Sequence, residues 1–591
     1  AGVTSFRLVN RRKLIDCPDL NPYLGITIVS ESSLPDNATI TVTVSGVIDT
    51  QSTDWVGLMS PSTADHGTCL DNKAKYVETG DLASLPLLCD YPVKSQYVSN
   101  DPAYLPCNKS TCQETDSSGA CIVTTCSGDL VFHVVNIRTD LKAVFFGGGY
   151  DAPCVLTTSQ SVPFANPSQP LYAHINSIDS TGTSMRVTWV SGDGAAQQVQ
   201  YGNGQTVTST VTTFSSSDMC TDALVPSPAV DFGWHDPGFI HSAVMTGLSP
   251  STSYTYRYGS DAVGWSDTIT FRTPPAAGAS ALNFLAFGDL GKAPLDMSDE
   301  HYIQPGSVSV IDAVAGELNS GTVDSIFHIG DISYATGFLV EWDFFLSLIS
   351  PVASTVSYMT AIGNHERDFT GSGSVYETPD SGGECGVAYE TYFPMPTQGF
   401  DKPWYSIEQG PVHFTIISTE HDWSPGSEQY QWMTADMASV DRKRTPWLIF
   451  QGHRPFYTST TENPVLPNVD STFVSAIEPL LLNYKVDLAL VGHVHNYERT
   501  CALYNGQCFQ MPTKDADGVD TFNFTTYPAP VHAVIGMAGF TLDGFAANNK
   551  WSLSQQSVFG YSRFFATTTE IRSQFVAAGT NQVLDSFKII K

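Results

Sequence analysis

Five short segments constrain this chain more than any other feature: Gly288-Asp289-Leu290-Gly291, Gly330-Asp331-Ile332-Ser333-Tyr334, Gly363-Asn364-His365-Glu366, Gly452-His453-Arg454-Pro455 and Gly492-His493-Val494-His495. Each follows an apolar run of strand length: Asn283 to Phe287, Ser325 to Ile329, Val356 to Ile362, Trp447 to Gln451 and Val486 to Val491. A further candidate strand runs from His413 to Ser418. Apolar strands separated by helical stretches are the pattern of an α/β domain. Such sheets place ligands just past the C-terminal ends of their strands, where side chains aim into a shared crevice. The glycine ahead of each polar residue is expected to let the backbone turn tightly, so that the side chain faces a common centre. One such segment alone is an ordinary turn, but five in order at strand ends point to a single site.

The remaining length reads differently. From about Val3 to Val162, short β-prone runs such as Ile26-Thr27-Ile28-Val29 and Ile40-Thr41-Val42-Thr43-Val44 alternate with Gly, Pro, Asn and Asp turns, the pattern of a β-sandwich. The Pro-rich stretch Pro163 to Pro170 resembles a linker. A second sandwich is expected over roughly 167 to 275, where Met185 to Val190 and Tyr254 to Tyr258 alternate. Its Trp189 and its Leu248-Ser249-Pro250 turn resemble a fibronectin type III module, an analogy without catalytic content. With 591 residues the chain exceeds what one core usually serves. The expected architecture is multi-domain, β plus α/β: a disulfide-rich N-terminal β-sandwich over 1–165, a fibronectin type III-like β-sandwich over 166–276, and an α/β catalytic domain over 277–591.

Eight of the 12 cysteines lie in the first 154 residues, at Cys17, Cys69, Cys89, Cys107, Cys112, Cys121, Cys126 and Cys154. They lack C-x-x-C zinc spacing and no histidine pair of finger spacing accompanies them, so they read as structural disulfides. Cys501 and Cys508 are expected to close a small loop. Sequons at Asn37, Asn108 and Asn523 agree with passage through the secretory route. The chain begins at Ala1 without a signal peptide, which suits a mature product, and contains no apolar run of membrane-spanning length. A soluble, secreted protein of extracellular space, cell wall or vacuole is expected. The balance of 28 Lys plus Arg against 59 Asp plus Glu gives a net charge of −31, which disfavours nucleic acid polymers and anionic membranes as partners. A small phosphorylated substrate remains compatible if bound cations invert the potential locally. Working below neutral pH would also weaken the repulsion.

If Asp331 bridges two ions, the donors are Asp289, Asp331, Tyr334, Asn364, His453, His493 and His495. Two aspartates and one phenolate contribute −3, which against a trivalent and a divalent ion leaves about +2 for hydroxide and phosphate. This arrangement and order closely resemble the purple acid phosphatases, within the binuclear metallophosphoesterase superfamily, over about residues 167 to 591. The resemblance makes the C-terminal domain an α/β metallophosphoesterase sandwich. It implies Fe(III) on Asp289, Asp331, Tyr334 and His495, and a divalent Zn, Mn or Fe on Asp331, Asn364, His453 and His493. Ligand chemistry agrees, since phenolate and carboxylate oxygens suit Fe(III) and imidazoles suit a divalent ion. Many metallophosphoesterases begin with Asp-x-His, whereas Gly291 occupies that third position here. Tyr334 supplies the replacement, and a tyrosinate on Fe(III) implies a purple or pink protein. Hydrolysis in such sites uses ions that polarise the phosphoryl group and generate hydroxide well below the pKa of free water. His365 is the candidate to bind the phosphoryl group or protonate the leaving oxygen, the alternative being a residue that only orients ligands.

The resemblance is incomplete. Plant phosphomonoesterases of the family carry two adjacent histidines about nine residues after the position of His453, and this chain reads Thr458-Ser459-Thr460-Thr461-Glu462-Asn463 there. His421 and Glu462 are candidate substitutes, the alternative for His421 being a structural histidine. Arg454 is a candidate phosphate contact, or else an arginine paired to a buried carboxylate. The missing histidines and the extra sandwich resemble the large plant branch of diphosphonucleotide phosphatase/phosphodiesterases. That implies nucleoside di- and triphosphates and phosphodiesters as substrates. The alternatives are a general acid phosphomonoesterase or phytase, and a wall- or glycan-binding protein with a vestigial site. For the latter, Trp55 and Tyr91 read as core residues rather than a sugar platform. A homo-oligomer is compatible with the sequence, which does not specify one.

Overall fold

A computed structural model of the chain describes residues 20–29, 32–67, 88–461, 467–546 and 549–591. Its N-terminal part is a sandwich of two four-stranded sheets. One runs Gly25–Val29, Ala38–Val47, Cys121–Val134, Ser110–Thr115, and the other Lys94–Tyr97, Trp55–Met59, Lys142–Gly147, Cys154–Thr158. The period-2 pattern of Ala38–Val47 buries Ile40, Val42 and Val44 against Phe132 and Phe145. The Cys107–Cys126 and Cys112–Cys121 bridges are nested across the Ser110–Thr115/Cys121–Val134 hairpin. Cys501–Cys508 closes the short loop expected of it, and no described cysteine is free.

The second sandwich packs Leu171–Ser177, Met185–Ser191, Phe239–Met245 and Thr210–Thr212 against a sheet built on Gln198–Tyr201 and Ser253–Ser260. Trp189 is fully buried there and its indole N–H donates to Gln197 Oε1 at 2.8 Å. This unit is riveted to the C-terminal part of the chain. Leu171–Ser177 is buried throughout, His174 Nε2 meets Tyr392 O at 2.7 Å, Tyr256 donates to Ser354 O at 3.0 Å, and Cys220 is bonded to Cys385.

The C-terminal part consists of two facing sheets flanked by helices such as Ser307–Leu318, Val340–Ala353, Glu428–Ser439 and Ser471–Asn483. In one sheet, Ala281–Phe287, Ser325–Ile329 and Ser357–Ala361 run parallel, with Phe287 opposite His328 and Ile329 opposite Ala361. In the other, Val412–Ile416, Trp447–Gly452, Leu488–Val491 and Val531–Ile535 run parallel. All six candidate strands of the sequence are present, with ends displaced by a residue or two. Phe284 and Phe327 of the first sheet meet Phe414 of the second with ring centroids 5.3 and 4.2 Å apart, so the core lies between the sheets. Both sheets deliver the C-terminal ends of their parallel strands to the same edge.

Candidate metal centre

The first sheet contributes Asp289, Asp331, Tyr334 and Asn364 to that edge, and the second contributes His453, His493 and His495. Ligating atoms of Asp331, His453 and His493 all lie within 4.8 Å of one another, as do those of Asp289, Asp331 and His495. Asp331 belongs to both groups, as a bridging carboxylate must. The amide oxygen of Asn364 joins the first group, 3.0 Å from His453 Nε2 and 2.9 Å from His493 Nδ1. The phenolic oxygen of Tyr334 joins the second, 3.3 Å from Asp289 Oδ1, 3.3 Å from Asp331 Oδ2 and 3.2 Å from His495 Nε2.

The local backbone differs from the expectation. Of the five glycines that precede the polar residues, only Gly330 has a positive φ, of 75°, and the left-handed conformation is carried by Asp289, Asp331, Tyr334 and His493 themselves. Such conformations cost energy outside glycine and persist where the surrounding fold imposes them. The glycines supply space instead. A Cβ on Gly363 would lie 2.2 Å from Asp331 Oδ1, and one on Gly330 would lie 2.2 Å from His453 Nδ1. Glycine is needed here chiefly because the loops approach too closely for side chains.

The donor chemistry fits a pair of cations. The phenolic oxygen of Tyr334 faces two carboxylate oxygens and an imidazole nitrogen, a cluster of lone-pair donors. With no cation there, burial and then Asp331 and Asp289 hold the phenol protonated well above its usual range. Burial pushes Asp289 up as well. Asp331 goes the other way: burial opposes ionisation, but His453 and His365 hold it well below the carboxylate range. His453 directs Nδ1 at Ile329 O, 3.3 Å away, which leaves Nε2 facing the oxygens of Asn364 and Asp331 at 3.0 and 3.2 Å. Burial disfavours its protonation, yet the neighbouring Asp331 raises it to about 10, marking a place that calls for positive charge. Burial keeps His493 and His495 neutral, with lone pairs available.

Residues around the donors fix their aim. Asp380 Oδ2 accepts from the Asn364 amide nitrogen at 2.9 Å, turning the amide oxygen toward the histidines. Glu366 accepts from the backbone N–H of Ile332 and of Gly363, at 2.7 and 3.0 Å, and so ties two ligand loops together. Asp543 accepts from the His495 backbone N–H at 2.9 Å and lies 3.7 Å from its Nδ1. Only Glu366 had a sequence signal, as the last residue of its segment. Asp380 and Asp543 come from loops that carry no pattern.

His365 reaches the same edge. Its Nδ1 lies 3.1 Å from Asp380 O and its backbone N–H donates to Asp331 Oδ1 at 3.1 Å, so Nε2 is the atom that faces Asp331 Oδ2, 3.9 Å away. Arg454 is held by buried carboxylates, with Nε 2.9 Å from Glu420 and Nη2 2.9 Å from Asp368, while Nη1 lies 3.3 Å from His493 Nε2. His421 is buried with both ring nitrogens engaged, Nδ1 by Ser418 Oγ at 2.7 Å and Nε2 by Asp401 at 3.1 Å. Glu462 lies outside the described residues. Asn37, Asn108 and Asn523 are all exposed. Trp55 is buried in the first sandwich, whereas Tyr91 packs across to Phe232 and Phe338.

Comparison with known proteins agrees with this architecture. Residues 27–166 match the Fn3-like domain of purple acid phosphatases, 170–273 their N-terminal domain, 282–497 the calcineurin-like phosphoesterases, and 529–586 the C-terminal region of iron/zinc purple acid phosphatase-like proteins. "Probable inactive purple acid phosphatase 27" of Arabidopsis thaliana is 35% identical over 560 residues, covering 91% of this chain and 85% of that one. A nucleotide pyrophosphatase/phosphodiesterase of Hordeum vulgare is 36% identical over 333 residues, 55% of this chain and 88% of that one. The solved structure of purple acid phosphatase PPD1 from yellow lupin seeds superposes with a TM-score of 0.83 at 33% identity, covering 96% of this chain and 95% of that one.

Proposed function

The chain belongs to the purple acid phosphatase family, and on that premise we propose that it is an active, secreted two-metal phosphohydrolase. One observation carries this reading: all seven expected donors are present and converge in two groups that share Asp331. Asp289, Asp331, Tyr334 and His495 would hold Fe(III), and Asp331, Asn364, His453 and His493 a divalent Zn, Mn or Fe. When bound, such a pair polarises phosphoryl oxygens and makes water acidic enough to act as nucleophile near neutral pH.

The protein's own groups do the rest. Asp380 keeps the Asn364 oxygen on target, and Glu366 keeps the Asp331 and Asn364 loops in register. His365, anchored through Nδ1, presents Nε2 to the phosphoryl group and gives a proton to the leaving oxygen. With no histidine pair after His453, no second imidazole from that loop competes for this role. The substrates are phosphoanhydrides and phosphodiesters of nucleotides, a reading supported by the barley relative's name and by the missing histidines.

The test is elemental analysis beside the visible spectrum, followed by turnover of a nucleoside diphosphate, a simple monoester, a diester and phytate at acid pH. Two ions per chain including iron, with the diphosphate turned over fastest, are expected. Preference for the monoester or phytate would instead support a general acid phosphatase or phytase, and a colourless, iron-free, fully active protein would overturn the iron assignment. Three exposed sequons and the disulfides support secretion and glycosylation at Asn37, Asn108 and Asn523.

A further inference from the structure

Between the first metal-site segment and the helix Ser307–Leu318, the chain makes an excursion that the N-terminal sandwich grips. Ser95 and Asp299 exchange backbone hydrogen bonds of 3.0 and 2.7 Å, forming an antiparallel bridge between the two parts of the molecule. Beside it, Lys94 Nζ lies 2.8 Å from Glu300 Oε1, Gln96 donates to Ser298 Oγ at 3.2 Å, and Tyr150 donates to Asp299 Oδ2 at 2.7 Å. From the other side Lys292 donates to Glu300 Oε2 at 3.1 Å and to His301 O at 2.7 Å, and pairs with Glu341. Lys94, Lys292, Glu300 and Glu341 are all buried, so this is a fixed clasp rather than a solvated surface pair.

The clasp ends at Tyr302. Its backbone is left-handed, with φ of 54°, a conformation a tyrosine adopts only when its surroundings impose it. Tyr302 as a whole is 39% exposed, beside the candidate metal centre. Its ring lies 5.7 Å from the ring of His365, 5.8 Å from that of Tyr334 and 5.3 Å from that of Phe540. Tyr302 is thus a ring neighbour of the histidine expected to face the leaving oxygen.

We infer that Tyr302, presented by a loop that the N-terminal sandwich clasps through Lys94, receives the aromatic ring of the substrate's leaving group. This rests on the hydrolase reading above and adds to it a specificity surface, a chemical class of leaving group and a role for the N-terminal sandwich. Lys94 is a positioning residue that acts through Glu300 and the loop. Tyr302 touches the substrate.

The test uses the full metal-loaded chain and four probes: phenyl phosphate, with a ring next to the ester oxygen; adenosine diphosphate, with a ring beyond a ribose; and ethyl phosphate and pyrophosphate, which have none. Tyr302→Ala is expected to raise KM roughly tenfold for the ring-bearing probes, the scale of one stacking contact, with ethyl phosphate and pyrophosphate unchanged. Tyr302→Phe and Tyr302→Trp should keep the preference. Loss confined to phenyl phosphate would place the surface at the ester oxygen, and loss confined to adenosine diphosphate would place it at the base. Calorimetry gives a readout independent of turnover: phenylphosphonate should lose its advantage over methylphosphonate in Tyr302→Ala. Lys94→Met should reproduce the selectivity loss. Should that variant fail to fold, Tyr150→Phe removes another contact of the clasp. An unchanged ratio of ring-bearing to ring-free probes in Tyr302→Ala, with ethyl phosphate still hydrolysed, overturns the inference alone. Absence of all turnover and of bound metal in the parent chain overturns the hydrolase reading instead.

Discussion

The phenolic oxygen of Tyr334 lies 3.2 Å from Nε2 of His495, although the two residues are 161 positions apart in the chain. The phenolic proton also faces Asp289 and Asp331, so a cation between these lone-pair donors suits the contact best. Tyr334→Phe is therefore expected to abolish the visible absorption of the oxidised protein while the group around Asn364, His453 and His493 still binds a divalent ion. Absorbance beside elemental analysis checks it, and persistent colour would place the phenolate elsewhere.

His365 faces the site with the Nε2 of its side chain and is not one of the seven donors. His365→Ala should keep both metals and lower kcat by about 10²-fold or more, the range of a lost general acid. Metal content and steady-state kinetics measured on one preparation decide this. Unchanged kcat would remove His365 from the reaction.

Arg454 stands between Glu420 and Asp368, both fully buried. Arg454→Met leaves two uncompensated carboxylates and is expected to lower stability by about 3–5 kcal/mol, read from the urea midpoint. A residue that only touched phosphate would raise KM and leave the midpoint in place.

Glu384 is buried with no ion pair among the described residues, accepting from Gly337 N and Trp342 Nε1 at 2.8 Å each. Burial outweighs these bonds and raises it from 4.5 to about 7. The folded chain therefore holds this proton more tightly than the unfolded chain, and the contribution to stability is full below about 4.5 and fades as pH rises toward 7. Wild type should lose about 3 kcal/mol relative to Glu384→Gln across that window, since each pKa unit corresponds to about 1.4 kcal/mol. Paired denaturant titrations at several pH values measure it, and parallel curves would show that Glu384 does not titrate there.

The strands of the C-terminal part could be read from the chain because a run such as Leu488 to Val491, buried throughout, is uniformly apolar and is broken sharply by Gly492-His493. The seven candidate donors could be singled out for the same reason: each stands within a few residues of where such a run stops. Asp380, Asp543 and Tyr302 could not, because they sit in loops whose composition is that of any polar surface. His421 and Arg454 show the converse. The sequence left each open between a substrate contact and a structural role, and in the fold their polar atoms are engaged by Asp401 and Ser418, and by Glu420, Asp368 and His493.

The linear chain by itself determined the three-part β plus α/β organisation and the candidate donors, because strand periodicity and the residue types that end a strand are local properties. The tertiary structure alone decided which loops press together. It placed the left-handed conformation on Asp289, Asp331, Tyr334 and His493, and it brought Lys94 to Glu300 across 206 positions and Tyr302 to His365. Such contacts arise from how packed sheets and domains dock, and no local pattern of residues encodes that.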